Sequence, residues 1–463
     1  MPLLTVDSGR VKQLFTQGKI TISVLGLGRI GLPTAALFAE AGAQVIGADI
    51  NREVVATIKN GKCRFSDEPG LPELVEKVVS SGRLEVTTDI QGAVSHSDAV
   101  IICVPTPVDA AKTPDYSAVM KAAHDIGNSI QRGSIVIIES TVGPGIIEEQ
   151  IRPIIESVSE LRAGDDFGLA SCPERSDPGN IIKNMKTVPR IIGAIDGTCA
   201  KIIAAMYEAA LGVKVVIVSN PKTANAAKLT ENLFRDVNIA LANEFALLYE
   251  KLGIDTVEVI KACSTKYNFM PHYPGAGVGG PCLPANPYYL IVEGMKAGNI
   301  PYLVRLAREI NDRMPEHVVA LVSEALNDAN KTIKGSKIAI LGVTYKPNVK
   351  DVQISPIERI CTTLKQMGAQ ITIYDPMFKN EEVFGYKVES SVEDAAKGAD
   401  CIVIGTAHRE FQSLQLQLLG RLVNNRAALV DARNVVDPEE ASKARFSYRG
   451  VGRSHNNRAP KRS

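Results

Sequence analysis

The 463-residue sequence lacks tryptophan, CxxC cysteine pairs and any strong net charge. Its eight cysteines are scattered singly, which predicts neither a zinc site nor a disulfide framework, and we expect no bound metal. No apolar run is long enough to span a bilayer and no signal peptide is evident, so a reducing cytoplasm is the simplest location. A formal net charge of +1 gives no overall attraction to nucleic acid or to a membrane.

What is present is typical of a globular protein with several domains. Hydrophobic residues make up 45% of the chain and charged residues 22%, and the length suggests roughly three domains. Short β-branched runs alternate with helical stretches near the N-terminus and again after residue 330. This alternation predicts two doubly wound, Rossmann-like α/β domains. The strands expected from this pattern are 19–25, 44–48, 99–104, 134–138, 337–343, 370–374, 399–404 and 427–430.

The middle of the chain is helical. Residues 221–252 contain no internal glycine or proline and keep an apolar period of 3.6 residues. Such a helix is roughly 45 Å long, which favours a connection between domains or pairing with a second subunit, as in a homodimer or a higher homo-oligomer. We therefore expect a Rossmann domain at 1–218, a helical, dimerising and catalytic domain at 219–330, an α/β domain at 331–440 and a basic, disordered tail at 441–463.

A glycine-rich turn follows the first predicted strand. Gly26, Gly28 and Gly31 form GxGxxG at the start of a helix, where the glycines allow a tight turn and close approach of a pyrophosphate. Asp49 ends the second strand, where a carboxylate binds a ribose 2′-hydroxyl and repels a 2′-phosphate. The pattern predicts NAD rather than NADP, although Arg52 nearby complicates this choice.

Polar residues recur along one stripe of the long helix. Lys228 and Asn232 are four residues apart, and Asn225 and Arg235 extend the stripe. A solvated helix face is the commoner cause of such a stripe. The apolar residues beside it favour burial around a functional site instead.

One cysteine lies in a loop rich in glycine and proline, PHYPGAGVGGPCLP, from 271 to 284. A lone cysteine is more often a small core residue than a nucleophile. Core cysteines normally lie on helices or strands, however, and Cys282 does not. The rigid loop therefore favours Cys282 as a nucleophile.

Several motifs occur in a fixed order between about residues 20 and 435. They are GLGRIGLP, CVPTP, ESTVGPG, CPERSDPGN, KLTENLFRDVNIALANE, PGAGVGGPC, LGVTYKPNVKD, ISP and YDP. Together they resemble the UDP-glucose / UDP-N-acetylhexosamine dehydrogenase family, and the helix and loop motifs are most similar to its N-acetylhexosamine branch. The resemblance implies two Rossmann-like domains joined by a long central helix and a helical domain.

The resemblance also implies a reaction. A UDP-N-acetylhexosamine would be oxidised by NAD at its C6 hydroxyl to a carboxylate, through a thiohemiacetal and a thioester on Cys282. UDP-N-acetyl-D-mannosamine is the first expected substrate, with UDP-N-acetylglucosamine next and UDP-glucose as a further alternative. Lys228 and Asn232 would stabilise oxyanions, Thr141 would hold a water, and Glu174 would handle protons or position that water.

Binding roles follow from the same motifs. For the cofactor they are Gly26, Gly28, Arg29, Ile30, Gly31, Asp49, Arg52, Pro105, Thr106 and Thr141. For the sugar nucleotide they are Glu174, Arg175, Lys228, Asn232, Arg235, His272, Tyr273, Gly277, Gly279 and Lys346.

Three positions depart from the family pattern. Pro281 replaces a histidine or serine, Asn286 replaces an aspartate, and Gln353 replaces an arginine. Two other readings stay open. A 3-hydroxyacid dehydrogenase would also have a Lys/Asn pair, but would need neither the Cys282 loop nor a second α/β domain. A sugar-nucleotide-binding protein without catalysis would tolerate the Pro281 and Asn286 changes.

Overall fold

The computed structural model describes residues 2–453. The chain divides into two compact units. The first takes the residues up to Glu231 together with Tyr288–Asn299. The second takes Asn232–Pro287 and the residues from Ile300 onward. Each unit is described by itself.

The first unit contains an eight-stranded sheet in the order β3-β2-β1-β4-β5-β6-β7-β8. Neighbouring strands are parallel except for β6 and β7, which are antiparallel. The strands are β1 Thr21–Leu25, β2 Gln44–Ala48, β3 Leu84–Thr87, β4 Ala99–Ile102, β5 Ile135–Ile138, β6 Gly168–Ser171, β7 Arg190–Ala194 and β8 Val215–Val218.

Helices cover this sheet on both faces. Every residue of β4 and β5 is buried, as expected for central parallel strands that read as continuous apolar runs. The helices are α1 Ser8–Thr16, α2 Gly31–Glu40, α3 Arg52–Lys59, α4 Leu71–Ser80, α5 Ile90–Ser95, α6 Ser117–Gly127, α7 Arg152–Ser159, α8 Ile181–Met185 and α9 Gly197–Leu211. A π-helical turn, Ile147–Ile151, leads into α7.

Four helices follow in the middle of the chain. They are α10 Pro221–Leu252, α11 Thr256–Cys263, α12 Asn286–Lys296 and α13 Tyr302–Asp328. In the second unit, α10 and α13 share a buried polar cluster. Arg308 donates to Asp236 over 2.6 Å, and Asn311 donates to the same carboxylate over 2.9 Å. Because these groups pair with one another, α10 can bury polar side chains that its sequence alone would assign to solvent.

The second unit also contains a parallel sheet in the order β10-β9-β13-β14-β15, and a small hairpin of β11 with β12. The strands are β9 Lys337–Leu341, β10 Gln370–Tyr374, β11 Glu382–Val383, β12 Tyr386–Lys387, β13 Cys401–Ile404, β14 Ala428–Asp431 and β15 Ser447–Gly450. The helices are α14 Pro356–Gln366, α15 Val392–Ala396, α16 Leu416–Leu422 and α17 Pro438–Lys443.

The predicted fold class is confirmed, and α10 begins and ends where the sequence pattern places it. The strand pair β6 and β7 differs from the expected all-parallel sheet. The segment between these strands carries the CPERSDPGN motif and stays at the carboxyl edge of β6, so β7 starts from that same edge.

The predicted disordered tail needs correction. Residues 441–453 complete α17 and form β15, which pairs with β14 along its whole length. Phe446 and Val451 are buried, so this basic segment contains enough apolar side chains to join the core. The rest of the predicted tail, 454–463, lies outside the described residues.

Candidate active site

The GxGxxG turn has the geometry that a dinucleotide requires. A methyl group at Gly31 would lie 1.8 Å from the Gly26 carbonyl oxygen, so only glycine allows this turn, and Gly26 has a φ of +90°. A methyl group at Gly28 would meet no atom within 4 Å. The space beside Gly28, at the N-terminus of α2, is therefore open for a pyrophosphate. Ile30 is the N-cap residue of α2.

Asp49 follows β2 and is half-buried. Its two carboxylate oxygens accept the backbone N–H groups of Leu27 and Asn51, each over 2.8 Å. Each oxygen keeps a lone pair for a ribose hydroxyl. Arg52 is exposed as the first residue of α3.

Arg29, within the same turn, is paired with protein carboxylates. It lies 2.9 Å from Asp67 and 3.2 Å from Glu68. The buried Glu68 carboxylate also accepts the N–H groups of Gly179 and Ile181. The glycine-rich turn and the CPERSDPGN segment are thus linked through one carboxylate.

The loops after β4 and β5 meet at the carboxyl edge of the first sheet. The Thr106 hydroxyl donates to the Thr141 carbonyl oxygen over 2.8 Å, and the Tyr289 hydroxyl of α12 donates to the Thr106 carbonyl oxygen. Thr141 is half-buried and Pro105 is exposed. Ligands of doubly wound sheets bind at this edge.

Glu174 follows β6 and is 7% exposed. One of its oxygens accepts the backbone N–H and the hydroxyl of Ser176 and lies 3.5 Å from Arg190. The next residue, Arg175, forms a two-point ion pair with Glu231 of α10. The guanidinium of Arg175 is therefore neutralised within the protein.

The polar stripe of α10 is buried at two of its central positions. Lys228 and Asn232 are each 7% exposed, whereas Arg235 is exposed. Asn225 is buried and its side-chain oxygen accepts the Ser171 hydroxyl over 2.7 Å. Among residues 2–453, no carboxylate lies within ion-pair distance of Lys228. A buried ammonium without an acidic partner is suited to an anionic ligand or intermediate.

Cys282 is the one exposed cysteine of the eight. Its carbonyl oxygen accepts the N–H of Asn286, the first residue of α12, over 2.8 Å. The side-chain oxygen of Asn286 in turn accepts the Asn232 amide. The structure thus brings Asn232, Cys282 and Asn286 together within the second unit.

The loop around Cys282 is fixed from two sides. The Asn243 side chain of α10 accepts the Gly275 N–H over 3.0 Å, and the Gly280 N–H donates to the Gln353 carbonyl oxygen over 2.9 Å. A methyl group at Gly279 would lie 2.6 Å from the Ile354 carbonyl oxygen, and Gly277 has a φ of +121°. Only glycine fits at Gly277 and Gly279, and the two hydrogen bonds fix the path of the loop.

Three further predicted residues belong to the second unit, two of them within this loop. His272 is half-buried beside Phe234, with ring centroids 6.2 Å apart, and Tyr273 is 50% exposed. Lys346 is half-buried in the segment after β9. The Thr344 hydroxyl donates to the Lys346 carbonyl oxygen over 2.9 Å.

Arg433 is a candidate that sequence reasoning missed. It follows β14, and its Nε donates to the Gly405 carbonyl oxygen over 3.0 Å. A methyl group at Gly275 would lie 2.7 Å from its Nη1. Burial lowers the pKa of Arg433 to about 10, and Asp431 only partly offsets this. An arginine two residues after a buried strand was the available signal.

Among residues 2–453, no helix is both long and apolar enough to cross a membrane. In the same part of the chain, no three His, Cys, Asp or Glu side chains are arranged to hold a metal ion.

Comparison with protein families gives matches along most of the chain. Residues 20–211 match the NAD binding domain of the UDP-glucose/GDP-mannose dehydrogenase family, 222–313 its central domain and 339–438 its UDP binding domain.

Individual relatives align over nearly the whole chain. A UDP-N-acetyl-D-mannosamine dehydrogenase from Pyrococcus horikoshii is 38% identical over 93% of this chain and 99% of its own. A UDP-N-acetyl-D-glucosamine 6-dehydrogenase from Pseudomonas aeruginosa is 32% identical over 91% of this chain and 98% of its own. The solved structure of the UDP-D-ManNAc dehydrogenase from Pyrococcus horikoshii superimposes with a TM-score of 0.87 at 37% identity, covering 94% and 99% of the two chains.

The fold, the dinucleotide turn and the matched domains define an NAD-dependent oxidoreductase with a UDP binding domain. The chain belongs to the UDP-glucose/GDP-mannose dehydrogenase family. The family resemblance, the enzyme class and NAD as cofactor, all predicted from the sequence, are confirmed.

Proposed function

We propose that this chain oxidises the C6 hydroxyl of UDP-N-acetyl-D-mannosamine to the carboxylate of UDP-N-acetyl-D-mannosaminuronate. The observation that carries the proposal is that Cys282 is exposed on a loop whose close backbone packing only glycine allows. In each of two oxidations, NAD would accept one hydride from the sugar carbon. In sum, one alcohol, two NAD and one water yield one carboxylate, two NADH and three protons.

Different protein side chains act in the successive steps that convert the alcohol to the acid. Cys282 adds to the C6 aldehyde and forms a thiohemiacetal, whose carbon carries the C–H needed for the second oxidation. Lys228 and Asn232 stabilise the negative oxygen by charge and hydrogen bond. In the last step water adds to the thioester carbon, the carbon–sulfur bond breaks, and the thiol returns. Thr141 holds this water and Glu174 accepts its proton.

The binding residues predicted from the sequence are proposed in their predicted roles, with two specifications. Arg175 is ion-paired with Glu231, and Arg29 with Asp67 and Glu68. They would contribute through backbone groups or as parts of a fixed frame rather than as free cations.

The identity of the hexosamine is best tested with three sugar nucleotides. The mannosamine relatives favour UDP-N-acetylmannosamine, and the glucosamine relative makes UDP-N-acetylglucosamine the second candidate. We expect NADH absorbance at 340 nm to show the highest kcat/KM with UDP-N-acetylmannosamine and the lowest with UDP-glucose. Two NADH per acid are expected. A preference for UDP-glucose, or one NADH with accumulating aldehyde, would contradict the proposal.

The role of Glu174 predicts a trapped intermediate. In Glu174→Gln an amide, which does not take up a proton near neutral pH, replaces the carboxylate. We expect both oxidations to proceed and thioester hydrolysis to slow, so that a covalent adduct on Cys282 appears in the intact mass. Glu208→Gln, which changes an exposed acidic residue of α9, serves as the control and should show no adduct. Normal turnover of Glu174→Gln without adduct would assign proton transfer to another group.

A homodimer through α10 is part of the proposal. Five large apolar residues lie along one face of the helix and are 40% to 60% exposed: Phe234, Leu241, Phe245, Leu248 and Leu252. Their spacing of three, four and seven residues makes one continuous stripe. An apolar stripe on an isolated chain is typical of a face that a second copy covers.

The stripe gives a direct test of the dimer. Leu248→Glu places a charge at its centre and should weaken dimerisation by at least about 30-fold. Light scattering at micromolar concentration should then give the mass of one chain. Leu418→Glu changes a similarly exposed leucine on α16 and should leave the mass at two chains. A monomeric unmodified protein would contradict the proposal.

The domain limits and the cellular location complete the proposed function. We propose NAD binding by 1–218, catalysis and dimerisation by 219–330, and UDP-sugar binding by the domain from 331, extended through β15. None of the eight cysteines forms a disulfide, and a thiol nucleophile needs a reducing compartment, which supports the cytoplasm.

A further inference from the structure

The antiparallel course of β7 places its first residue at the carboxyl edge of β6. Ser171 of β6 pairs with Gly193, and Ala170 with Ala194. Extending this register beyond Ser171 brings Arg190 opposite Glu174. A parallel β7 would have placed Arg190 at the far edge of the sheet, away from the site.

Arg190 is held by Glu139, the residue that directly follows β5. The two side chains are each about 2% exposed, and the guanidinium Nη2 donates to Glu139 Oε1 over 3.0 Å. The Glu139 carboxylate also accepts the Tyr207 hydroxyl over 2.7 Å and the Thr34 hydroxyl over 3.0 Å. With all these donors in place, the carboxylate has one preferred orientation.

The same guanidinium reaches Glu174. Its Nη1 lies 3.5 Å from Glu174 Oε1, and its Nη2 also donates to the Cys172 carbonyl oxygen over 3.1 Å. Among residues 2–453, Arg190 Nε has no hydrogen-bond partner. One buried cation thus serves two buried carboxylates, and it has a spare donor.

We infer that Arg190 is a positioning residue, which holds the Glu174 carboxylate in place for thioester hydrolysis, and that Glu139 limits this effect by competing for the same guanidinium. The inference rests on the role proposed for Glu174. Removing Arg190 should therefore slow hydrolysis of the Cys282 thioester, whereas removing Glu139 alone should not.

The charges around the pair agree with this arrangement. Burial disfavours a charged guanidinium, but the neighbouring Cys172, Glu139, Tyr207 and Glu174 side chains together outweigh it and keep the pKa of Arg190 above its ordinary value. Burial and Glu139 raise the pKa of the Cys103 thiol, so Cys103 stays neutral. The titratable side chains near Arg190 and Glu174 thus include Cys103, Glu139, Cys172 and Tyr207.

The test compares a double variant, in which one positive and one negative charge are removed together, with single variants. Arg190→Met alone would leave Glu139 buried without its cation, which normally destabilises a fold strongly. In Arg190→Met/Glu139→Gln both charges are removed together. Without its neighbouring cation, the Glu174 carboxylate loses the group that fixes its position, so kcat should fall by on the order of tenfold. The Cys282 adduct should accumulate, while KM for the sugar nucleotide stays within about threefold.

Glu139→Gln alone removes the carboxylate that competes with Glu174 for Arg190, so no adduct should accumulate. Arg190→Lys keeps the charge and should accumulate less adduct than the double variant, with kcat below that of the unmodified protein because lysine donates from a single point. A purely structural role for Arg190 would lower activity and melting temperature in these variants without accumulation of the adduct.

The outcomes separate this inference from the proposed function. If Glu174→Gln accumulates the adduct but the double variant does not, or if Glu139→Gln alone accumulates it, the inference is wrong and Glu174 keeps its role. If Glu174→Gln turns over normally, the proposed role of Glu174 fails first. Should the double variant not fold, turnover of Arg190→Lys at the unmodified rate without adduct is enough to overturn the inference.

Discussion

Cys282→Ala is expected to abolish formation of the sugar acid while the protein still binds NAD. Without the thiol, the C6 aldehyde cannot become a thiohemiacetal, and an unhydrated aldehyde is a poor hydride donor for the second oxidation. Since hydrogen bonds of Gly275 and Gly280 hold the loop, we expect an unchanged fold. The acid should fall below detection by mass spectrometry, and at most one NADH should form per sugar.

A second cysteine supplies the matched control. Cys263 is half-buried at the end of α11, in the same unit but outside the glycine-rich loop. Cys263→Ala should keep full activity and two NADH per acid. Acid production by Cys282→Ala at more than a few per cent of the normal rate would show that another nucleophile, or water, carries the second oxidation.

Lys228→Ala is expected to lower kcat by on the order of 10²–10³, the usual effect of removing one group that stabilises an oxyanion. Lys228 is buried on α10 and has no carboxylate within ion-pair distance in residues 2–453. In the proposed mechanism, its charge would stabilise the oxygen that becomes negative when Cys282 adds to the aldehyde. KM should change less than kcat, because this charge is needed most in the transition state.

Lys222 offers a control on the same helix. It is exposed near the start of α10 and lies 3.4 Å from Glu149 on the surface. Lys222→Ala should leave kcat within about twofold, since an exposed ion pair contributes little. If Lys228→Ala also lowered kcat less than tenfold, the polar stripe of α10 would be a structural feature and the oxyanion would be stabilised elsewhere.

The two carboxylates after β5 and β6 show how the first unit brings side chains from separate motifs together. Glu139 and Glu174 belong to separate motifs, and Arg190 belongs to neither of them. They meet because the strands that carry them end at one edge of the sheet. Reading single motifs identified Glu174 but gave no sign of its cation.

The sequence by itself determined the fold class, the limits of α10, the dinucleotide turn and the family. These features depend on local patterns. Apolar periodicity sets the helix, continuous β-branched runs set the buried strands, and Gly31 is required where any side chain would meet the Gly26 carbonyl group. Cys282 could be selected because a cysteine in a Gly-Pro loop is unusual for a core residue.

Only the tertiary structure decided the direction of β7, the folding of residues 441–453 into regular structure and the partners of the charged side chains. Each depends on residues far apart in the sequence. Arg190 reaches Glu174 through an antiparallel register, Arg175 is neutralised by Glu231, and β15 pairs with β14 although its segment is basic. A local pattern gives a side chain its chemistry, but burial and pairing energies depend on which distant groups the fold brings to it.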